Sequence, residues 1–137
     1  MAHYPGTEPI KGNTPIVHNI TPLISLLFHS QVQAHIYHLQ TDSYAQHKAL
    51  NDYYDAIPDM IDSIVESFQG EYGIQRGYKS QPFLEDNSPI PYFENILQQL
   101  ELLRYKVCSK DNSSLQNEID NVVNLIKTTL YKLKYLV

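Results

Sequence analysis

The stretch that decides the fold covers residues 33–67 and has the sequence QAHIYHLQTDSYAQHKALNDYYDAIPDMIDSIVES. Its first part completes one helical repeat of apolar residues, and the polar segment 40–43 interrupts that repeat. A second repeat follows, in which Asp42 or Ser43 is placed to cap the new helix. Its apolar positions are Ala49, Tyr53, Ile57, Met60, Ile61, Ile64 and Phe68. The stretch therefore predicts two amphipathic helices joined by a short turn.

The boundaries of these two helices follow from local signals. Thr21 and Pro22 form a helix start, with proline in the first turn, and this predicts a first helix over 21–40. Gly70 is a candidate C-cap, so the second helix is predicted over 44–69. Pro58 lies inside that helix, and the loss of a backbone donor there predicts a kink or a break.

The rest of the chain predicts two more helices and no strand. Residues 70–91 are rich in glycine and proline and form a long connection. Apolar repeats predict helices over 92–108, with Cys108 buried in it, and over 113–136, where Ser113 and Gln116 fit a capping box. The expected fold is an all-α four-helix bundle over residues 21–137, preceded by an extended, proline-containing arm over residues 1–20.

Length, composition and charge exclude several classes. A chain of 137 residues with 42% hydrophobic content makes one domain with its own core. A single cysteine excludes an internal disulfide and a cysteine-rich zinc site. No apolar run reaches the roughly 18 residues of a membrane span, and no signal peptide is recognisable, so a cytoplasmic protein is expected. A net charge of −5 argues against binding to duplex DNA.

The second helix carries an acidic face. Its carboxylates are spaced 3, 4, 3 and 4 residues apart, which places them on one side: Asp52, Asp55, Asp59, Asp62 and Glu66. Only Lys48 is close in sequence to neutralise them. Repulsion among like charges would be relieved by a bound cation, although a solvated acidic surface is the simpler interpretation of such a run.

Histidines cluster at the turn between the first two helices. Antiparallel pairing about that turn brings His35 and His47 within reach of each other, with His38 beside them. Asp62 and Glu66 follow His47 by 15 and 19 residues, which is roughly 22–28 Å along a helix. One chain therefore cannot place all four on one metal, whereas two chains related by a two-fold axis can. Imidazole with carboxylate suits iron, manganese or zinc.

These residues also carry a resemblance to a known family. Counted along the chain, the order is His35, eleven residues, His47, fourteen residues, Asp62, three residues and Glu66. This spacing and the quoted stretch resemble the mini-ferritins known as Dps proteins (DNA-binding proteins from starved cells), over about residues 20–70. The chain departs from that family in having Ile36 and no tryptophan, and in lacking a lysine-rich arm.

The resemblance implies a function and an assembly. It implies a ferritin-like four-helix fold, a hollow homo-oligomer such as a dodecamer, and a ferroxidase that oxidises Fe(II) and stores the product. The ligands carried over are His35, His47, Asp62 and Glu66, each site being shared by two subunits, and His38 and Asp59 are candidate auxiliary residues.

A second hypothesis comes from a different class of protein. The acidic surface, the proline-containing arm and Pro58 also suit a structural assembly protein that keeps the fold without catalytic activity. The C-terminal stretch LQNEIDNVVNLIKTTLYKLKYL resembles small proteins encoded by phages. A phage-encoded member, associated with the virion or with the host cytoplasm, is therefore expected under either hypothesis.

Overall fold

The computed structural model describes residues 18–137, and most of the arm expected over residues 1–20 lies outside this range. The described part is all-helical, without strands, as the sequence predicts. Four helices follow one another along the chain: α1 (Thr21–Gln40), α2 (Tyr44–Tyr72), α3 (Pro89–Val107) and α4 (Ser113–Tyr135).

The first hairpin, formed by α1 and α2, has the predicted turn, but α2 ends later than predicted. α1 has the predicted bounds, and the Ser43 side chain caps α2 by accepting a hydrogen bond from the Gln46 N–H. The predicted end at Gly70 is wrong, because the positive φ that ends a helix occurs at Gly73, where φ is 92°. Glycine at position 70 is tolerated inside the last turns of α2.

Pro58 does not break α2, which runs as one helix of 29 residues. Proline removes a single backbone hydrogen bond, the one that would reach the Tyr54 carbonyl. Ile57 and Ile61 on either side are buried in the core. Their packing on the other helices offsets that loss, so the predicted break is absent.

Smaller corrections apply to the second hairpin, which is formed by α3 and α4. α3 begins at Pro89, three residues before the predicted start, because proline fits the first turn of a helix. α4 is capped by Asn112, which accepts from the Leu115 N–H, and not by the predicted capping box at Ser113. Cys108 is buried, as expected, but it follows the last residue of α3.

Contacts between the helices give the topology. The start of α1 lies beside the end of α2 and the end of α3: the His18 ring stacks on Tyr72, and the Asn19 N–H donates to the Lys106 carbonyl at 2.9 Å. α4 runs opposite to α2, since Asn112 reaches Glu71 at the beginning of α4. Among the described helices, α1 and α4 contact α2 and α3 but not each other. The bundle is therefore up-down-down-up, with one long connection between two parallel helices.

That long connection, the crossover segment of residues 73–88, is tied along α1. Four α1 side chains spaced four residues apart, Ser25, His29, Gln33 and Tyr37, bond to it in turn. Gln33 accepts from the backbone N–H of residue 84 at 2.7 Å and donates to its carbonyl at 3.2 Å. The crossover segment thus runs in the same direction as α1 and spans the length of the bundle.

The four helices enclose one core of aliphatic and aromatic side chains. Its largest members with no exposed surface include Tyr37, Tyr53, Phe68 and Phe93. The Tyr53 hydroxyl donates to Ser30 Oγ, because the Ser30 hydroxyl itself donates to the Leu27 carbonyl. Within residues 18–137, no helix is long and apolar enough to cross a membrane.

Candidate metal centre

Two histidines tie α1 to α2 beside the first turn. His38 Nδ1 donates to the His47 carbonyl at 2.8 Å, and His47 Nδ1 donates to the His38 carbonyl at 2.9 Å. Their rings stack with centroids 3.6 Å apart. The direct histidine contact at this turn is therefore between His38 and His47, made reciprocally through backbone carbonyls, whereas the predicted closeness was between His35 and His47.

These bonds determine which nitrogen of each ring carries the hydrogen. A carbonyl oxygen only accepts, so Nδ1 carries the hydrogen in each neutral imidazole and Nε2 carries the lone pair. His38 is buried, and its Nε2 faces the Tyr54 hydroxyl at 3.4 Å. His47 is partly exposed, and among residues 18–137 its Nε2 has no hydrogen-bond partner. His47 therefore has the form of a metal-binding histidine, whereas His38 has the form of a supporting one.

His35 lies on the outer side of the same cluster. Its exposed ring stacks flat on Tyr54, with centroids 4.2 Å apart and planes 8° apart, and its centroid is 5.7 Å from that of His38. Tyr54 also donates to Asn51 Oδ1 at 2.7 Å, which holds its ring in place. Sequence reasoning missed Tyr54, although His47, Asn51 and Tyr54 follow one another at helical spacing and share a face of α2.

The acidic face of α2 divides into a paired half and an unpaired half. Asp52 is bridged by Lys48 and by Lys132 of α4, a neutralising partner that the sequence did not reveal. Asp55 accepts from Asn51. Further along, Asp62 and Glu66 are exposed and have no hydrogen bond or ion pair within residues 18–137.

Asp59 lies on the other flank of the acidic face. It lines an open cavity of about 430 Å³ between α2 and α4, together with Ser63 and Glu118. This cavity is on the α4 side of α2, whereas His35 and His47 are on the α1 side. The structure therefore does not bring Asp59 to the histidine cluster.

No three of the histidine, cysteine, aspartate and glutamate side chains in residues 18–137 meet in a metal-binding group within one chain. The histidines lie at one end of α2, and Asp62 and Glu66 lie along its second half. This is the separation on which the two-chain hypothesis depends, and a single chain does not test whether two copies bring the residues together.

An apolar stripe surrounds His35 on the surface of α1. Phe28, Val32 and Leu39 are 45%, 43% and 71% exposed, and with His35 they follow a 4-3-4 spacing. Such spacing lines one side of a helix and is the pattern by which helices pack on one another. The sequence holds this signal, but only the structure shows that no other helix of the described chain covers it.

His29 and Cys108 serve the packing of the bundle. His29 donates from Nε2 to the Pro82 carbonyl and accepts at Nδ1 from the Tyr92 hydroxyl, so its role is structural. Burial raises the pKa of the Cys108 thiol, which disfavours the reactive thiolate. These residues offer no ligand to a metal.

Comparison with known proteins gives two matches. The model of a family of unknown function, DUF5856, matches residues 38–133. An uncharacterised 14.6 kDa protein in the mobD-ri intergenic region of Enterobacteria phage T4 is 30% identical over 118 residues, which cover 82% of this chain and 83% of the relative. No solved structure matches the chain.

Proposed function

The chain belongs to the DUF5856 family, whose function is unknown. From the arrangement of its own residues, we propose that it is a ferritin-like, Dps-like iron-binding protein whose metal site is completed by a second copy. Fe(II) is the proposed substrate, bound by His35 and His47 of one copy and by Asp62 and Glu66 of the other. Oxidation and storage of the iron in a closed homo-oligomer follow from the same proposal.

The topology supports this proposal. Ferritin-like bundles have one long crossover between two antiparallel helix pairs. The chain has that arrangement, with α1 and α2 forming one pair, α3 and α4 the other, and the crossover segment between them. The same topology leaves His35, Asp62 and Glu66 exposed on the first pair, where a second copy has access to them.

The observation that carries the proposal is the tautomer of His47. Its Nδ1–H donates to a backbone carbonyl, which leaves the Nε2 lone pair for a metal, and metal-bound histidines are commonly oriented by such a bond. Asp62 and Glu66 add carboxylate oxygens that are not used within residues 18–137. Hard oxygen donors with imidazole suit iron, and the ferric state most of all because of its higher charge.

The apolar stripe on α1 supports the participation of a second copy. A contact between two α1–α2 hairpins related by a two-fold axis would cover Phe28 and Val32, which otherwise remain in water. His35 lies inside this stripe, so the same contact would bring acidic residues of the second copy to it. His38 and Tyr54 would position the imidazoles, since they hold His47 and His35 respectively.

The direct test is anaerobic titration of the purified full chain with Fe(II), followed by admission of air and measurement of Fe(III) absorbance. We expect saturable binding that Glu66→Gln weakens by about 10–100-fold, as losses around metal sites commonly do. Asp55→Asn is the matched control, because it removes the same charge from the same face of α2 and should leave binding nearly unchanged. Circular dichroism should be unaltered in both variants.

A mixing experiment tests whether two copies share each site. One chain carries His35→Ala with His47→Ala, and the other carries Asp62→Ala with Glu66→Ala; neither should bind Fe(II) alone. After joint refolding, each mixed two-fold pair regains one site, so about a quarter of the sites should return. If no binding returns, the ligands are not shared in this way. If the natural chain itself binds no Fe(II), the structural assembly hypothesis replaces the metal site.

A further inference from the structure

A long groove lies on the side of the bundle away from the metal centre. It has a volume of about 830 Å³ and runs between α1, α3 and the crossover segment. Its floor is apolar and includes Leu26, Ile96 and Leu103, while Tyr92 lies towards the start of α3. This volume is in the range of sites that hold a ligand or a peptide.

The rim of the groove is polar. Asn19, Asn95 and Gln99 line it with uncharged amide groups above an apolar floor, and Lys79 and Asp86 add one charge of each sign. Side-chain amides both donate and accept, as the peptide backbone does. An extended polypeptide offers apolar side chains to the floor and backbone amides to the rim, and so matches the groove better than a purely apolar molecule would.

We propose that this groove is the docking site of the chain's own N-terminal residues 1–17. The described chain begins at His18, and the Asn19 N–H is fixed to the Lys106 carbonyl beside the Leu103 end of the groove. The segment is therefore tethered at the groove entrance, which gives it an effective concentration in the millimolar range. A free peptide or a second copy has no such advantage.

The composition and length of the segment agree with this occupant. It holds three prolines, which favour extended recognition in aromatic-lined grooves, and the apolar side chains Ile10 and Ile16. Pro91 and Leu103, at opposite ends of the groove, are 12 residues apart on α3, or roughly 18 Å. About six residues of polyproline type span that distance, so residues 10–16 suffice.

The test places a nitroxide label on the full chain through Thr14→Cys and records the methyl NMR signals of the groove. We expect loss of the Leu26, Ile96 and Leu103 signals, while Leu125, on the α2–α4 side, keeps its intensity. Cys108 is buried, and the natural chain treated with the same reagent gives the baseline. Equal signals in labelled and reduced samples would overturn the proposal.

Two further experiments decide what occupies the groove. Ile10→Asp with Ile16→Asp should restore the groove signals, whereas Ala2→Asp with Thr7→Asp, which adds the same charge outside residues 10–16, should not. In a mixture of nitroxide-bearing chains without isotope label and isotope-labelled chains without nitroxide, the groove signals should persist. Their loss there would show that a second copy supplies the segment and would overturn docking within one chain. None of these outcomes depends on metal binding.

Discussion

The α1–α2 and α3–α4 hairpins are both joined by polar side chains, yet only in the first does a joining side chain keep a nitrogen without a partner among residues 18–137. In the α3–α4 hairpin, Arg104 donates to the Gln116 side chain, the Gln116 carbonyl and Asp120. Gln116 in turn donates to the carbonyls of Arg104 and Cys108. In the α1–α2 hairpin, the bonds between His38 and His47 use one nitrogen of each ring and leave the His47 Nε2 outside them.

This difference separates structural polar groups from candidate ligands. A buried network whose donors and acceptors all find partners fixes the packing of two helices and has no capacity left for a ligand. Burial lowers the pKa of Arg104, but the Asp120 and Glu101 carboxylates outweigh it and raise that pKa, so the charge persists. The incomplete set at the first hairpin is where the proposed metal would find a ligand atom.

The largest expected effect is a loss of folding stability at alkaline pH. Burial raises the pKa of Tyr53 and of Tyr92 well above the usual value of 10.0. Each stays protonated in the folded chain while it ionises in the unfolded chain, so its contribution is complete below pH 10 and is lost above it. Stability should fall by about 1.4 kcal/mol per pH unit for each such tyrosine.

The measurement is urea unfolding at a series of pH values above 9. Tyr53→Phe should make the free energy of unfolding fall less steeply with pH, because it removes one ionisable hydroxyl. Ser30 keeps its bond to the Leu27 carbonyl, so the variant leaves no buried donor unpaired. Tyr44→Phe, at an exposed position, is the control and should leave the slope unchanged. An identical slope in Tyr53→Phe would show that this tyrosine does not govern alkaline stability.

The second prediction concerns the satisfied network. Arg104→Met should lower the free energy of unfolding by about 3 kcal/mol, because it leaves the buried Gln116 oxygens without their charged donor. Lys106→Met, at an exposed position two residues away, should change it by less than about 0.5 kcal/mol. Fe(II) binding by folded Arg104→Met should equal that of the natural chain. A loss of binding would contradict the separation of the two hairpins.

The crossover segment supplies the third and smaller effect. Gln33→Leu removes both of its bonds to the backbone of Leu84 and should cost about 1–2 kcal/mol. Gln31→Leu is the matched control on the same helix, since Gln31 makes no side-chain bond within residues 18–137. Hydrogen exchange should quicken at the Leu84 amide in the first variant alone. Equal exchange in both variants would show that the hydrogen bonds from α1 side chains do not hold the crossover segment.

The sequence predicts the helices better than their ends. Apolar spacing places α1 and α4 within a residue of their observed bounds, because burial of one helix face dominates there. The end of α2 was missed, since Gly70 and Gly73 are equivalent in sequence and differ only in φ. The predicted break at Pro58 is absent, because the packing that compensates for the lost hydrogen bond comes from other helices.

The candidate site is likewise predictable only in part. Closeness of the histidines follows from the turn between α1 and α2, whereas the bonds that fix their tautomers depend on backbone positions. Lys132 reaches Asp52 from a helix that is distant in sequence, so no spacing rule finds it. The proposed role of Asp62 and Glu66 requires a second chain, and no pattern within one chain determines how two chains meet.

The smallest effect is expected where α3 and α4 meet at their other end. Lys134 Nζ lies 3.4 Å from Glu94, an ion pair between the same two helices that Arg104 joins. Here both side chains are exposed, by 36% and 52%, so water and salt screen the pair and holding two long side chains costs entropy. Lys134→Ala should therefore change stability by less than about 0.5 kcal/mol, and added salt should reduce that difference further. Urea unfolding at low and high salt measures it. A loss as large as that of Arg104→Met would mean that the charge, and not the buried and completed network around Gln116, joins the second hairpin.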